Sequence, residues 1–325
     1  MRSSFARAIA ALAAFSCAGT LSVAGPAHAE PVKLRLTYLM ADLILPVLVA
    51  RDAGDYERAG IDLEAIEGQS GPAVVAALAS GEADLGYSGS IPPINARLNG
   101  VPIKLVMTLG HEKAPDMMLT GFISTQASGI TDIQGVRGHR IALNANGGLC
   151  ELAWRDHLSA AGIKWSEVQP VVLPFPQVEA AMQQGAVDAA CLINPFQASV
   201  MHNPEIGAKR IAAGMLADLS TPGLSDVIYT TDKYAAEHAE TIRTFGEVTV
   251  AARQRLQADP DALIAAAEKY VGLTPQAAAD VTLAVVRDDV GMDLTEVQKL
   301  LDAMSRAEML SSPITAEDLA GTTAK

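Results

Sequence analysis

The chain has 325 residues, half of them hydrophobic and only 4% aromatic, with a formal charge of −13. So acidic a balance argues against nucleic acid or an anionic membrane surface as a partner, although local dipoles could still hold a small anion. The cores must be built from Ala, Val, Leu and Ile. No stretch after the amino terminus supplies the roughly 20 consecutive apolar residues of a membrane-spanning helix.

Arg2 and Arg7 precede an apolar run from Ala8 to Phe15 and a small-residue tract ending Ala27-His28-Ala29. This is the pattern of a secretory signal over residues 1–29, so a soluble, exported, periplasmic protein is expected. A lipid anchor on Cys17 is the competing reading, but Ala14 stands where an aliphatic residue is usual. Removing those residues takes away two arginines and no acid, so the remainder carries −15 over about 296 residues. That length is more than one core usually serves and predicts two domains.

In chain order, Val32–Leu39 reads as a buried strand leaving through Met40-Ala41-Asp42-Leu43, and Pro46 opens a helix ending near Gly54. Ile61–Ser90 is the organising unit: a strand, an N-cap at Ser70 with Pro72 in the first turn, a helix to Ala79 stopped by Gly81, a second strand over 83–87, and the loop Ser88-Gly89-Ser90. A helix over 91–99 and a strand over 103–109 follow, leaving through Gly110-His111-Glu112-Lys113. The alternation then repeats in form: strands over 119–124, 140–143, 168–173 and 187–193, helices over 149–161 and 178–184, and exit loops Asn144-Ala145-Asn146-Gly147-Gly148 and Asn194-Pro195-Phe196. Strands over 209–214 and 226–231 come next, the second recrossing between the halves. Helices are expected over 233–257, 260–271, 275–286 and 294–307, with Asp259 and Thr274 as N-caps, packed on the first half. The fold class is therefore α/β, two doubly wound lobes, and ligands of such sheets bind at the carboxyl ends of the strands, here in the cleft between lobes.

Cys150 and Cys191 could pair in an oxidising compartment, or stay as buried thiols; two cysteines at this spacing make no disulfide framework.

Several segments in order resemble a known family: Leu34–Leu39, Leu48–Tyr56, Gly60–Glu64, Ser70-Gly71, Ala77–Asp84, Ile130–Gly138, Ala161–Ile163 and Gly185–Ala189. The chain looks like the solute-binding proteins of ABC importers of the nitrate, sulfonate, taurine and thiamine-precursor type. The likeness is close over residues 32 to about 235 and loose in the helical tail. It implies a type II periplasmic binding fold, with two lobes (30–113 with 226–325, and 114–225) joined by two crossing strands. It also implies a role as a monomer that carries a small organic molecule to an inner-membrane permease. This chain departs from the pattern at Ile193-Asn194-Pro195, where many members have an aromatic and an acid before the proline. It departs again at Gly147-Gly148-Leu149-Cys150, where a Gly-Ser or Gly-Thr loop is common.

The expected ligand-binding residues are Asp42, Ser70, Gly71, Gly89, Ser90, His111, Asn144, Asn146, Gly147, Asn194 and Phe196. Ser70 and Gly71 start a helix whose free N–H groups bind an anion or carbonyl. Asp42 could meet an amine or cap a loop. Asn144 and Asn146 offer donors and acceptors beside glycines that let backbone approach. His111 could bond a ligand or be satisfied locally, and Phe196 could stack on a ring. The exit loops hold no Arg or Lys, which argues against a multiply charged anion and for a neutral, zwitterionic or singly charged organic molecule such as a taurine-like zwitterion or an amine-bearing heterocycle. No catalytic residue, metal or cofactor is expected; a metal at Asp42, His111, Cys150 and Glu151 would require both lobes to align them. The rival readings are an enzyme on the same fold, of the pyrimidine- or menaquinone-precursor type, and a ligand-sensing partner of a membrane receptor.

Overall fold

The structure is a computed structural model that describes residues 30–112, 120–213, 223–283 and 290–320. The expected export signal, and the expected lobe boundary between 113 and 114, lie outside the described residues. The first half runs β1 (Val32–Leu39), α1 (Leu45–Asp52), α2 (Asp55–Arg58), β2 (Ile61–Gly68), α3 (Gly71–Ser80), β3 (Leu85–Gly89), α4 (Ile91–Leu98) and β4 (Ile103–Glu112). The second runs β5 (Thr120–Ser124), β6 (Arg140–Leu143), α5 (Leu149–Ala160), β7 (Gln169–Val172), α6 (Phe175–Gln183), β8 (Ala189–Ile193), α7 (Phe196–Met201) and β9 (Lys209–Ala213). Then come β10 (Gly223–Thr231), α8 (Asp232–Glu237), α9 (Ala239–Ala258), α10 (Pro260–Val271), α11 (Pro275–Ala278), α12 (Leu294–Arg306) and α13 (Ala316–Leu319).

Two five-stranded sheets result, ordered β2-β1-β3-β10-β4 and β7-β6-β8-β5-β9. In each, four strands run parallel, because β-α-β crossovers connect them, and one antiparallel strand, β10 or β5, is inserted from the other side of a crossing. The chain passes from the first sheet to the second between Glu112 and Thr120 and returns between Ala213 and Gly223. The return strand β10 lies between β3 and β4, with Ile228 opposite both Tyr87 and Met107.

The halves also share one side-chain device. Asp84, entering β3, is forked by Arg35 of the neighbouring β1, with Nε at 3.0 Å and Nη2 at 2.6 Å. Asp188, entering β8, is forked by Arg140 of β6 at 3.1 and 2.7 Å. Each carboxylate also accepts its arginine's backbone N–H, at 2.9 and 2.8 Å. Each aspartate follows by three residues a helix-ending glycine with positive φ, Gly81 or Gly185. The bidentate pair ties the end of one crossover to the adjacent parallel strand.

Two helices, and the packing of the tail, differ from expectation. The helix expected over 233–257 is broken at His238, whose φ of −128° is not helical. The helix expected from Pro275 is described only to Ala278, followed by irregular backbone to Leu283. The tail does not pack on the first half alone: the His202 imidazole contacts Asp280 at 2.9 Å, and Asn194 donates to the Asp280 carbonyl at 3.3 Å.

Candidate functional site

The carboxyl ends of the central strands of both sheets meet at a cavity of about 40 Å³. From the first half, the exit of β1 supplies Leu39 and Asp42, β3 supplies Gly89, and the start of α3 supplies Gly71 and Pro72. From the second, the exit of β6 supplies Asn144, the exit of β8 Asn194, and the start of α5 Gly148, Leu149 and Cys150. Because β10 runs antiparallel, its early residues lie at the same edge, with Asp226 opposite Gly89, and Ser225 and Asp226 join the wall. The two sides also touch: Asn95 donates to the Gly147 carbonyl at 2.9 Å, and a Cβ on Gly89 would stand 3.7 Å from that of Leu149.

Asp42 is driven inward by the sequence that follows it. Leu43, Ile44 and Leu45 are 5%, 0% and 0% exposed, and the short 3-10 turn Asp42–Ile44 leaves Asp42 only 2% exposed. Neither of its carboxylate oxygens has a hydrogen-bond partner. Burial holds its pKa well above the usual carboxylate range; the Thr282 backbone and the Asn194 amide approach closely enough to ease that cost without reaching bonding geometry, and the charge of Asp226 adds to it. Asp226 is partly buried, and burial raises its pKa as well, offset in part by the nearby hydroxyls of Ser225 and Tyr87. Burial, then Asp226 itself, pushes the Tyr87 hydroxyl far up.

The expected residues divide. Asp42, Gly71, Gly89, Asn144 and Asn194 line the cavity. Ser70 caps α3, accepting from the Ala73 N–H at 3.4 Å, and holds that helix start in place from just behind the wall. Ser90 is fully buried and donates to the Leu224 carbonyl at 3.1 Å. His111 lies in β4 rather than in a loop, buried and bonded to Glu296 of α12. Asn146 is exposed, and Gly147 bonds Asn95 and, through its N–H, Glu151 at 2.7 Å. Phe196 opens α7 and stacks on Phe175, whose ring takes the place on the wall expected for Phe196. Ser225, Asp226, Thr120 and Phe175 are additions to the expected set; that Ser225 and Asp226 reach the cleft follows from the insertion of β10, which strand periodicity does not reveal.

Cys150 and Cys191 form a disulfide joining the start of α5 to β8. With Cys150 oxidised and His111 turned to Glu296, the four residues considered for a metal are not assembled, and no group of three His, Cys, Asp or Glu suited to a metal occurs among the described residues. No helix of the described residues is long and apolar enough to cross a membrane.

Residues 43–263 match the model of the NMT1/THI5-like family. The chain belongs to that family. A protein of Escherichia coli (strain K12) named for binding aliphatic sulfonates is 27% identical over 191 residues, 59% of this chain and 58% of that one. The 4-amino-5-hydroxymethyl-2-methylpyrimidine phosphate synthase of Schizosaccharomyces pombe is 25% identical over 224 residues, 66% of this chain and 62% of that one. The chain thus matches less than two thirds of the length of these relatives. The alkanesulfonate-binding protein SsuA of Xanthomonas axonopodis, solved with MOPS bound, superposes with a TM-score of 0.76 at 20% identity, over 90% of this chain and 99% of that one. The NMT1/THI5-like chain therefore has the type II periplasmic binding protein fold, as the sequence resemblance implied.

Proposed function

We propose that this NMT1/THI5-like protein is the periplasmic solute-binding component of an ABC importer. In this reading it captures a small organic molecule between its two halves and delivers it to an inner-membrane permease. The observation that carries the reading is the cavity itself, walled by strand ends and helix starts from both sheets, with the two sides joined by the Asn95–Gly147 bond. Its walls offer a compact solute backbone groups at two helix starts and a few polar side chains. The lobes would be residues 30–113 with 226–325, and 114–225, hinging at 224–228. Export through residues 1–29, a monomeric state and no affinity for nucleic acid complete the proposal, the last supported by the charge of −13.

Titration of the purified protein with sulfonates, amino acids and pyrimidines, read by calorimetry and thermal shift, tests it. Saturable one-to-one binding with a raised melting temperature is expected; none across the panel would remove the proposal's basis.

The pyrimidine phosphate synthases among the relatives favour a second reading, an enzyme on the same fold. Against it, the cysteine on the cavity wall is held in a disulfide and is not a thiol nucleophile. Conversion of a bound pyrimidine by the purified protein would reverse the choice.

A further inference from the structure

The cavity wall has an electrical character opposite to that of a plain sulfonate or nitrate site. Among the described residues it carries two carboxylates, Asp42 and Asp226, and no Lys, Arg or His. Asp42 is 2% exposed with both oxygens unpartnered, and the Oδ1 of Asn144, which lines the same cavity, is buried and unpartnered too. A buried group without a partner loses the hydration it had in water and gains nothing in exchange. Once its proton is given up, the Asp42 carboxylate only accepts, so what it then lacks is a donor, and what the described wall lacks is a cation.

We propose that the cavity recognises a solute bearing a protonated, N–H-donating nitrogen centre, an ammonium or amidinium, seated against Asp42 and within the field of Asp226. This rests on the reading that the cavity holds a solute, and it names the class. An N–H-bearing cation supplies the missing donors and the missing charge together. Any acidic end of such a solute would lie toward the starts of α3 and α5, where Gly71 and Gly148 line the wall and unpaired N–H groups carry partial positive charge. A solute that was only an anion would bring a further negative charge beside two carboxyl groups, with no cation to meet it. Discrimination would therefore come as much from rejecting amine-free anions as from attracting the nitrogen.

The test uses the solute-free mature protein and matched pairs that differ in the nitrogen: taurine against ethanesulfonate, acetamidine against acetamide, and propane-1,3-diamine against 1-propanol. Calorimetry is run on the native protein and on the Asp42→Asn and Asp226→Asn variants. The expected result is that a nitrogen-bearing member binds at least about 30-fold more tightly than its partner, and that Asp42→Asn abolishes most of that preference without lowering the melting temperature. Asp226→Asn, which acts through the field, should weaken the same probe less. Ethanesulfonate binding as tightly as taurine, or Asp42→Asn leaving the nitrogen-bearing probe unaffected, overturns the inference while leaving the solute-binding reading intact. No saturable binding by any probe, together with no small molecule released on unfolding the protein as purified, overturns both.

Discussion

Replacing Asp42 by Asn should stabilise the empty protein, and by more at higher pH. The native carboxyl is 2% exposed, has no bonding partner, and is held well above the usual carboxylate range by its burial. Between the ordinary carboxyl pKa of about 4 and that raised value, the unfolded chain has released this proton and the folded chain still holds it, so folding stability falls as pH rises. Stability from this group is complete below the unfolded pKa and is lost through the folded one. The slope is about 1.4 kcal/mol per pH unit at its steepest, which at this chain length is about 2 °C in melting temperature per unit. The amide in Asp42→Asn does not titrate, so the variant should lack this part of the slope. Asp226 and Tyr87 are the titratable groups facing Asp42, and because the Asp226 pKa is also raised, its share of the slope should persist in Asp42→Asn and vanish in the double variant with Asp226→Asn. Urea unfolding of solute-free protein at pH 4, 5, 6 and 7 provides the assay. Native and Asp42→Asn midpoints that stay parallel across this range would refute the reasoning.

Affinity for a cationic probe should fall by up to about tenfold per unit as pH drops below the raised Asp42 value, since proton and ligand compete for one carboxylate; calorimetry across the same pH series reads it. Removing the Cys150–Cys191 disulfide, by reduction or by the double Ala variant, should cost about 2–4 kcal/mol of stability in denaturant titration and weaken solute binding, because it anchors the α5 start that lines the cavity. Gly71→Ala would place a methyl 2.5 Å from Pro92 Cγ, forcing α3 away from α4 at the cavity edge, with an expected loss of about 1–3 kcal/mol and weaker binding. Asp188→Asn should lower the melting temperature at pH 7 and matter less as pH falls toward 3, since desolvation of that carboxyl is outweighed by the fork with Arg140, which holds it below its ordinary value.

Where local chemistry decides an element, the sequence predicts it closely. The alternating then apolar run Val32–Leu39, the strand Arg140–Leu143 and the Pro-opened helix Pro260–Val271 stand at their expected bounds, and Ser70, Asp259 and Thr274 cap their helices as their residue types suggest. What local pattern cannot carry is pairing across long separations. Asp226 lies on a strand whose sequence predicts only that it recrosses; its place at the cavity depends on β10 entering between β3 and β4. His111 reads as loop because Gly110 precedes it, yet β4 continues through both, since Gly110 leaves room for Leu43 and His111 finds Glu296 some 185 residues away. The cysteine pairing is likewise open in the sequence and is decided only by the approach of β8 to the start of α5. Phe196 and Phe175 illustrate a smaller exchange: both are aromatic and they stack, but only the one opening α6 reaches the wall.

The central claim is that two halves of one chain close over a compact solute at the strand ends. Native mass spectrometry of the protein released from an exporting cell tests it most directly, comparing the wild type with Asp42→Asn. A one-to-one adduct with a small nitrogen-bearing organic molecule is expected, released on unfolding and depleted in the variant. A protein that carries no adduct, acquires none from a periplasmic extract, and behaves identically with Asp42 replaced would contradict it.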